Sequence, residues 1–442
     1  MAPVEPSKSS VALLAERARA ASRGVAKLSD GARNEALNAA AQAIENGAAR
    51  ILRANAEDCA AGERAVSAGK MTSALLARLR VTERGIAQMA RQVREVATLP
   101  DPIGRRLAAT ELDHDLILIK ESCPLGVVGV IFESRPDVVP QLAALGLKSG
   151  NAVIMKGGSE AAATTEALAA IWREALAEFP NVPTDSIVLL QSRADVLELL
   201  SQDRHVDLII PRGSYELVQY VMQHSRIPVL GHGEGICHVY VDRAADLAKA
   251  VAITYDAKVQ YPAVCNAAET LLIHEAIARE FLPDAVAKLK EAGVEIRGCE
   301  RTCALLADRD IVPATEKDWR TEYSALILSI KIVASLEEAI EHINRYGSHH
   351  TDAIVTEDSG AAAKFMNEVD SAGVFQNAST RFADGFRYGF GAEVGISNGK
   401  LHARGPMGLE GLTTYKYKLY GTGQIVADYA SGKKQFTHRR LQ

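Results

Sequence analysis

The chain has 442 residues, with 48% hydrophobic residues, 24% charged residues and a formal net charge of -5 at pH 7. This composition is typical of a globular protein with two or three domains. The acidic balance excludes a general attraction to nucleic acid or anionic membranes. No apolar run reaches the roughly 20 residues that span a bilayer. The six cysteines are scattered without CxxC spacing, so we expect reduced thiols in the cytoplasm and no metal site.

Alternating helix and strand patterns organise the first half of the chain. Residues 10–98 are rich in alanine at helical spacing and contain no proline, which predicts several packed helices. From Gly126 onwards, helical segments alternate with short apolar runs, which are GVVGVIF, NAVIMK, SIVLLQ, VDLIIP and IPVL. Strands that are apolar on nearly every residue indicate a parallel sheet covered on both faces. We therefore predict a Rossmann-type, dinucleotide-binding α/β domain formed by 1–112 and 125–240.

A second alternation predicts a further α/β domain at 241–400. Its apolar runs are AETLLIH, EIRG, ALILSIKIV, DAIVT and AGVFQ. A cleft between the two domains would be the natural place for an active site. We interpret the less periodic stretch at 297–320 as a connection.

Two β-prone segments lie outside both series, at 113–124 and 401–442. Their alternating cores are HDLILIKESCP and TTYKYKLYGTGQIVADY. One possibility, which the family resemblance described below implies, is that another subunit covers the exposed edges of these strands. The alternative is that the two segments pair with each other inside one subunit.

Cys265 is the most informative single residue. It lies in YPAVCNAAETLLIH, between a predicted helix at 246–258 and an apolar strand. A thiol on a short loop of this kind can act as a nucleophile, although a free cysteine is also a common core residue.

Several long blocks, in order, resemble one protein family. They are GVIFESRPDV, LKSGNAVIMKGGSEA, LIIPRGSYELV, YPAVCNAAETLLIH, VASLEEAIEHINRYGSHHTDAI and LHARGPMGLEGLTTYKY. From about residue 10 to 430 the chain is similar to gamma-glutamyl phosphate reductases, a branch of the aldehyde dehydrogenase superfamily. The resemblance implies the aldehyde dehydrogenase-like fold, Cys265 as the nucleophile, and a homodimer or homotetramer built through the flanking β segments. It also makes glutamate 5-kinase, which produces the labile substrate, a reasonable partner.

The cofactor site lacks the usual G-x-G-x-x-G, since GHGEG at 231–235 has no third glycine. Gly213 and Ser214 follow a predicted strand and begin a helix, where backbone N–H groups can hold a pyrophosphate; an ordinary capped turn is the alternative. The resemblance assigns this pair to the cofactor phosphates and Lys156 to the adenosine ribose. Ser159 stands where a glutamate favours NAD, so NADPH is predicted, although the neighbouring Glu160 could also reach the ribose.

Other site residues follow from the same resemblance. Glu322 matches an acidic residue near the nicotinamide ribose, and a solvated carboxylate is its alternative. The glutamate that activates water in oxidising aldehyde dehydrogenases is replaced within Gly231, His232 and Gly233, which suits an enzyme that must not hydrolyse its thioester.

The oxyanion donors are less well defined. The backbone N–H of Cys265 is the first, whereas the superfamily's side-chain asparagine falls on Glu133 in this sequence. Asn266 or the Ser134 region could supply the second donor.

The substrate requires cationic partners for its carboxylate and phosphate. Arg135 and Arg404 are the predicted guanidinium groups, with an ion pair at the domain interface as the alternative. His350 could donate to phosphate; a metal shared with His349 is not expected, because adjacent strand residues point to opposite faces.

Together these residues predict NADPH-dependent reduction of L-glutamyl 5-phosphate to L-glutamate 5-semialdehyde, the second step of proline biosynthesis. A coenzyme A-acylating aldehyde dehydrogenase and a non-catalytic binding protein of the same fold are the alternatives.

Overall fold

The structure is a computed structural model that describes residues 10–133, 135–192, 194–231, 233–307 and 310–441. The chain forms two compact units. The first unit comprises residues up to 230 together with 391–394 and 408–442, and the second comprises 231–390 and 395–407. The second unit thus begins at Gly231, whereas the sequence-based domain began at 241; the functional roles assigned to the domains remain predictions.

The first unit begins with helices, as the alanine-rich spacing predicted. Its helices are α1 (Ser10–Val25), α2 (Asp30–Asn46), α3 (Ala48–Ser67), α4 (Ser73–Leu79), α5 (Glu83–Thr98), α6 (Val138–Lys148), α7 (Ala162–Ala177), α8 (Ala194–Leu199) and α9 (Tyr215–His224). Side-chain oxygens cap the N-termini of α2, α4 and α5. The hydroxyls of Ser29, Thr72 and Thr82 each accept a hydrogen bond from a backbone N–H of the first turn.

Six strands lie in the same part of the chain. They are β1 (Arg106–Asp113), β2 (Leu116–Pro124), β3 (Val127–Phe132), β4 (Ala152–Lys156), β5 (Ile187–Leu190) and β6 (Leu208–Arg212). The last four form a parallel sheet in the order β5-β4-β3-β6. Val11, Ala15 and Ala18 of α1 pack against this sheet through residues such as Ile154. The predicted parallel sheet is present, and Lys156 and Arg212 lie at the carboxyl ends of its strands β4 and β6.

The run IPVL at 227–230 was predicted to be a strand and is not one. In the described residues it makes only an isolated bridge between Val229 and Ile209. Pro228 explains this, because it has no N–H with which to extend a ladder.

The second unit is built on a larger parallel sheet. Its elements are β7 (Cys237–Val241), α10 (Leu247–Val259), β8 (Ala268–His274), α11 (Glu275–Glu291), β9 (Glu295–Gly298), α12 (Glu300–Leu305), β10 (Val312–Pro313), β11 (Ile327–Val333), α13 (Leu336–Tyr346), β12 (Thr351–Val355), α14 (Ser359–Glu368), β13 (Gly373–Gln376), β14 (Gly395–Ser397) and β15 (Gly405–Met407). The order β10-β9-β11-β8-β7-β12-β13 is parallel throughout.

Two features of this sheet were not predicted. Strand β7 lies between β8 and β12, although the sequence analysis recognised no strand there and ended the first domain at 240. The stretch at 297–320 contains α12 and β10 rather than a plain connection.

The flanking β segments pair with each other inside the chain, which was the alternative reading of them. Strand β16 (Thr413–Tyr420) runs antiparallel to β2 over eight residues, and after α15 (Val426–Ala430) the short β17 (Arg439–Leu441) pairs with β1. The four-stranded order β16-β2-β1-β17 leaves Tyr417 and Leu419 exposed. Among the described helices, none combines the length and apolarity that crossing a bilayer requires.

Candidate active site

Cys265 lies on a turn at 262–267, between the end of α10 and the start of β8, and is half-buried. We call residues 260–267 the nucleophile loop. This is the position that the sequence predicted, since a helix and a strand fix the two ends of the loop while the turn presents the thiol.

The backbone of the nucleophile loop is closely packed. A Cβ added at Gly235 would lie 2.1 Å from the Cys265 carbonyl oxygen, so only glycine allows this approach. The Cys237 thiol donates to the same oxygen at 3.2 Å. The Thr380 hydroxyl donates to the Asn266 carbonyl at 2.7 Å, and Asn266 Nδ2 donates to the Ala383 carbonyl at 2.8 Å. The side chain of Asn266 therefore helps to hold the loop, and its role as an oxyanion donor stays a prediction.

A buried ion pair joins the two elements that flank this loop. Lys258, in the last turn of α10, and Glu269, in β8, are 0% and 1% exposed, and their charged atoms are 2.6 Å apart. Burial raises the pKa of Glu269 and lowers that of Lys258, because it disfavours the charged form of each. This pair was not predicted from the sequence, because neither residue belongs to a short motif.

Glu322 also reaches this region of the second unit. Its Oε2 accepts the backbone N–H of Gly235 at 2.9 Å. Burial and the charge of Glu322 raise the pKa of Glu234. Glu322 is thus not simply a solvated carboxylate, and its assignment to the nicotinamide ribose stays a prediction. His232, within the segment that replaces the water-activating glutamate, lies outside the described residues.

The arginines predicted to bind substrate both make ion pairs. Arg404 Nη2 lies 3.0 Å from Asp370 Oδ1, and its Nε donates to the Asn398 carbonyl at 3.3 Å. Arg135 lies 3.2 Å from Asp137. Each pair lies within one unit, so neither is the domain-interface ion pair that was the alternative, and substrate binding by these two arginines stays a prediction. Ser134, proposed for substrate or oxyanion binding, lies outside the described residues.

His350 is buried and lies near the nucleophile loop. Its Nδ1 is 2.9 Å from the Thr351 hydroxyl and 3.8 Å from the Cys237 sulfur. His349 has a positive φ of 60° and precedes β12, so the two histidines do not alternate along a strand as expected. Across the described residues, no group of three or more His, Cys, Asp or Glu side chains could hold a metal ion.

In the first unit, the carboxyl edge of β4 carries the predicted ribose site. Lys156 ends the strand, is 6% exposed and donates to the Gly157 carbonyl. Ser159 is exposed and begins a single 3-10 turn, whereas the Glu160 carboxylate folds back over Gly158.

A second acidic group lies near this lysine. Burial raises the pKa of Asp195, but hydrogen bonds from Ser192 and the charge of Lys156 outweigh it, so the pKa is lowered. Asp195 was not anticipated from sequence, and its proximity places a further negative charge near the predicted ribose site.

Ser214 caps α9 and receives a carboxylate. Its backbone N–H donates to Glu133 Oε2 at 2.8 Å, and its hydroxyl accepts from Leu217 N at 3.4 Å. The N–H expected to be free is therefore occupied, because Glu133 follows the neighbouring strand β3. The Glu133 carboxylate occupies the place that an anion would take at this helix N-terminus. Gly213 and Ser214 therefore fit a pyrophosphate, provided that the exposed Glu133 side chain moves aside.

One buried arginine was missed altogether. Arg381 is 6% exposed, and its Nε donates to Gln260 Oε1 at the start of the nucleophile loop. The signal was present in the sequence as NASTRFADG, a polar run directly after an apolar strand, but it belongs to none of the blocks that carried the family resemblance.

Residues 5–300 match the model of the aldehyde dehydrogenase family. A gamma-glutamyl phosphate reductase from a Synechococcus strain is 55% identical over 423 residues, covering 96% of this chain and 92% of the relative. The crystal structure of a gamma-glutamyl phosphate reductase from Thermotoga maritima superposes with a TM-score of 0.91 at 41% identity, covering 94% of this chain and all of that one.

A more distant structure shares the fold. It is a glyceraldehyde-3-phosphate dehydrogenase from Methanocaldococcus jannaschii complexed with NADP, with a TM-score of 0.65 at 19% identity, covering 95% of this chain and 96% of that one. The predicted α/β, aldehyde dehydrogenase-like fold is confirmed. The chain belongs to the aldehyde dehydrogenase family and, within it, to the gamma-glutamyl phosphate reductases.

Proposed function

We propose that this protein reduces L-glutamyl 5-phosphate to L-glutamate 5-semialdehyde and phosphate, with NADPH as the reductant, in the second step of proline biosynthesis. The observation that carries the proposal is the half-buried Cys265 on a turn that is fixed by hydrogen bonds, in a chain whose relatives are named gamma-glutamyl phosphate reductase. A thiol fixed in this way can form a thioester with an acyl phosphate.

The residues of the chain perform the acyl transfer. The Cys265 thiolate attacks the acyl carbon, and the new C–S bond gives a tetrahedral oxyanion. When this collapses, the C–O bond to phosphate breaks and its electron pair leaves with phosphate. The backbone N–H of Cys265 stabilises the oxyanion of each tetrahedral state, with Asn266 or Ser134 as the second donor. A nicotinamide cofactor, when bound, supplies the hydride that reduces the thioester to the aldehyde.

Members of the aldehyde dehydrogenase family use nicotinamide cofactors. For this chain we assign the pyrophosphate to Gly213 and Ser214, the adenosine ribose to Lys156 and Ser159, and the nicotinamide ribose to Glu322. NADPH is favoured over NADH because the exposed Ser159 brings no charge against a 2'-phosphate.

A homodimer or homotetramer is consistent with the outer strand β16, whose exposed Tyr417, Leu419 and Tyr420 would be covered by a second subunit. The six cysteines, all of which belong to the described residues, form no disulfide, which suits the cytoplasm. Association with glutamate 5-kinase would shorten the lifetime of the acyl phosphate in water.

The function is tested by running the purified protein in reverse. With glutamate semialdehyde and NADP, we expect NADPH formation that requires inorganic phosphate. A requirement for coenzyme A would instead support the acylating alternative, and no turnover under any condition would support a non-catalytic protein.

A further inference from the structure

The turn that carries Arg381 is bound to the nucleophile loop on both sides of Cys265. It lies in the single 3-10 turn Thr380–Phe382, and its Nε donates to Gln260 Oε1 at 3.0 Å. The preceding residue, Thr380, donates its hydroxyl to the carbonyl of Asn266 at 2.7 Å. Because Gln260 and Asn266 flank Cys265 in the loop, these two bonds fix the guanidinium beside the nucleophile.

The protein neutralises this guanidinium only in part. Within the described part of the chain, Nε is the one guanidinium nitrogen of Arg381 that has a hydrogen-bond partner, and that partner is an uncharged amide. Burial and the charge of Arg387 lower the pKa of Arg381, while the charges of Asp256, Asp384 and Cys265 act in the opposite direction without reversing the shift. A guanidinium has five N–H donors in a planar fork, and its terminal nitrogens suit the paired oxygens of an oxyanion.

The other candidate arginines differ in this respect. Arg404 is held by the carboxylate of Asp370 and by a backbone carbonyl, and Arg135 is paired with Asp137. Arg381 combines burial, a fixed position against the nucleophile loop and donors available to a ligand, which the other two do not.

We propose that Arg381 binds the phosphoryl group of the acyl phosphate and, in the reverse direction, the inorganic phosphate that attacks the thioester. This inference rests on the proposed function, in which Cys265 accepts the acyl group. The phosphoryl oxygen is bonded to the carbon that the sulfur attacks, whereas the substrate's α-carboxylate lies at the far end of the glutamyl chain. As the C–O bond breaks, its electron pair adds negative charge to the phosphate, and the guanidinium stabilises that charge.

The test compares Arg381→Gln and Arg381→Lys with the wild type in the reverse direction. In Arg381→Gln we expect the KM for inorganic phosphate to rise by about ten- to a hundredfold, the effect of losing a charge-assisted hydrogen bond. The KM for glutamate semialdehyde, and the burst of NADPH formed without phosphate, should stay unchanged because neither involves the phosphoryl group. Arg381→Lys should recover part of the phosphate affinity. The control is Arg301→Gln, which removes an exposed arginine paired with Glu275 in the same unit and should change none of these constants.

Two results would overturn the assignment. A rise in the KM for semialdehyde with an unchanged KM for phosphate would move Arg381 to the α-carboxylate. If the unfolding temperature falls, both KM values change in parallel and the burst is reduced, Arg381 has only a structural role. If Arg381→Gln does not fold, Arg381→Lys is used for the same comparison. Loss of the burst in the wild type would instead refute the proposed function of Cys265, and the inference about Arg381 would fail with it.

Discussion

The two parallel sheets of the molecule bury different kinds of side chain. In the first unit, strands β3 to β6 are almost entirely aliphatic, and their charged residues, Lys156 and Arg212, stand at the carboxyl ends. In the second unit, His238, Glu269 and Asp352 lie inside strands and are at most 1% exposed. His238 Nδ1 lies 2.8 Å from Asp352 Oδ1, and Glu269 pairs with Lys258.

We interpret this difference through the functions proposed for the two sheets, which are cofactor binding for the first and support of Cys265 for the second. A sheet that presents ligand-binding groups at its edge can keep an aliphatic interior, because its charges remain near water. The sheet beside the predicted nucleophile, Cys265, would have to hold a short loop rigidly. Lys258 and Glu269 do this from the two flanking elements, and the cost is that each charge depends on its partner.

The largest expected effect comes from breaking that pair. Lys258→Met leaves the Glu269 carboxyl buried without its cation and should lower the free energy of unfolding by about 3–5 kcal/mol, measured by urea denaturation. The double substitution Lys258→Met with Glu269→Leu should recover much of this loss, because no charge is then left buried. Lys156→Met is the matched change in the first unit and should cost far less. Equal losses in the two units would contradict the comparison.

Two glycine substitutions test the same difference between the two units. Gly235→Ala places a Cβ 2.1 Å from the Cys265 carbonyl oxygen, so the nucleophile loop must shift; we expect a loss of about 1–3 kcal/mol in stability and a fall in kcat. Gly213→Ala places a Cβ 2.4 Å from the end of the Glu133 side chain, which can move away. That variant should keep its stability and change mainly the KM for the cofactor. A Gly235→Ala enzyme with normal kcat would show that the loop tolerates displacement.

Acid should weaken the second unit through His342. Burial and the neighbouring His238 lower the pKa of His342 from 6.5 to about 2. Below about pH 6.5 the unfolded imidazole binds a proton that the folded one does not, so the free energy of unfolding falls by about 1.4 kcal/mol per pH unit from this group. The stability difference between the wild type and His342→Gln should therefore shrink between about pH 6 and about pH 4. A difference that is constant with pH would show that His342 titrates normally.

The smallest change in stability is expected at the edge of the first sheet. Ser159→Glu adds an exposed carboxylate, which should repel a 2'-phosphate and accept from a free ribose hydroxyl. We expect the ratio of kcat/KM for NADPH over NADH to fall by about tenfold, with an unchanged unfolding temperature. Ser159→Gln is the matched uncharged control. An unchanged ratio in Ser159→Glu would place the ribose elsewhere.

The parts of the fold that depend on local pattern were predictable. Continuous aliphatic runs identified β3, β4, β5 and β6, and the helix and strand around Cys265 followed from the adjoining sequence. Strand β7 was missed because CHVYV mixes polar and apolar residues. His238 is accommodated there by Asp352 of the neighbouring strand β12, which lies far away in the sequence.

Partners far apart in sequence were not predictable. Nothing near Arg404 indicates that Asp370 will bind it, and nothing near Ser214 indicates that Glu133 will occupy its N–H. Likewise, the contact of Arg381 with Gln260 joins residues 121 positions apart. Such pairings are set by the folded topology, so a motif can suggest a binding residue but cannot show whether its charge is already engaged.

The central claim is that Cys265 carries the acyl group, and acid-quenched peptide mass spectrometry tests it most directly. The protein is mixed with glutamate semialdehyde and NADP in the absence of phosphate, which stops the cycle at the thioester. We predict a glutamyl adduct on the peptide that contains Cys265, with about one NADPH formed rapidly per subunit, and neither in Cys265→Ser. An adduct on another of the six cysteines, or substantial activity in a folded Cys265→Ser variant, would contradict the account.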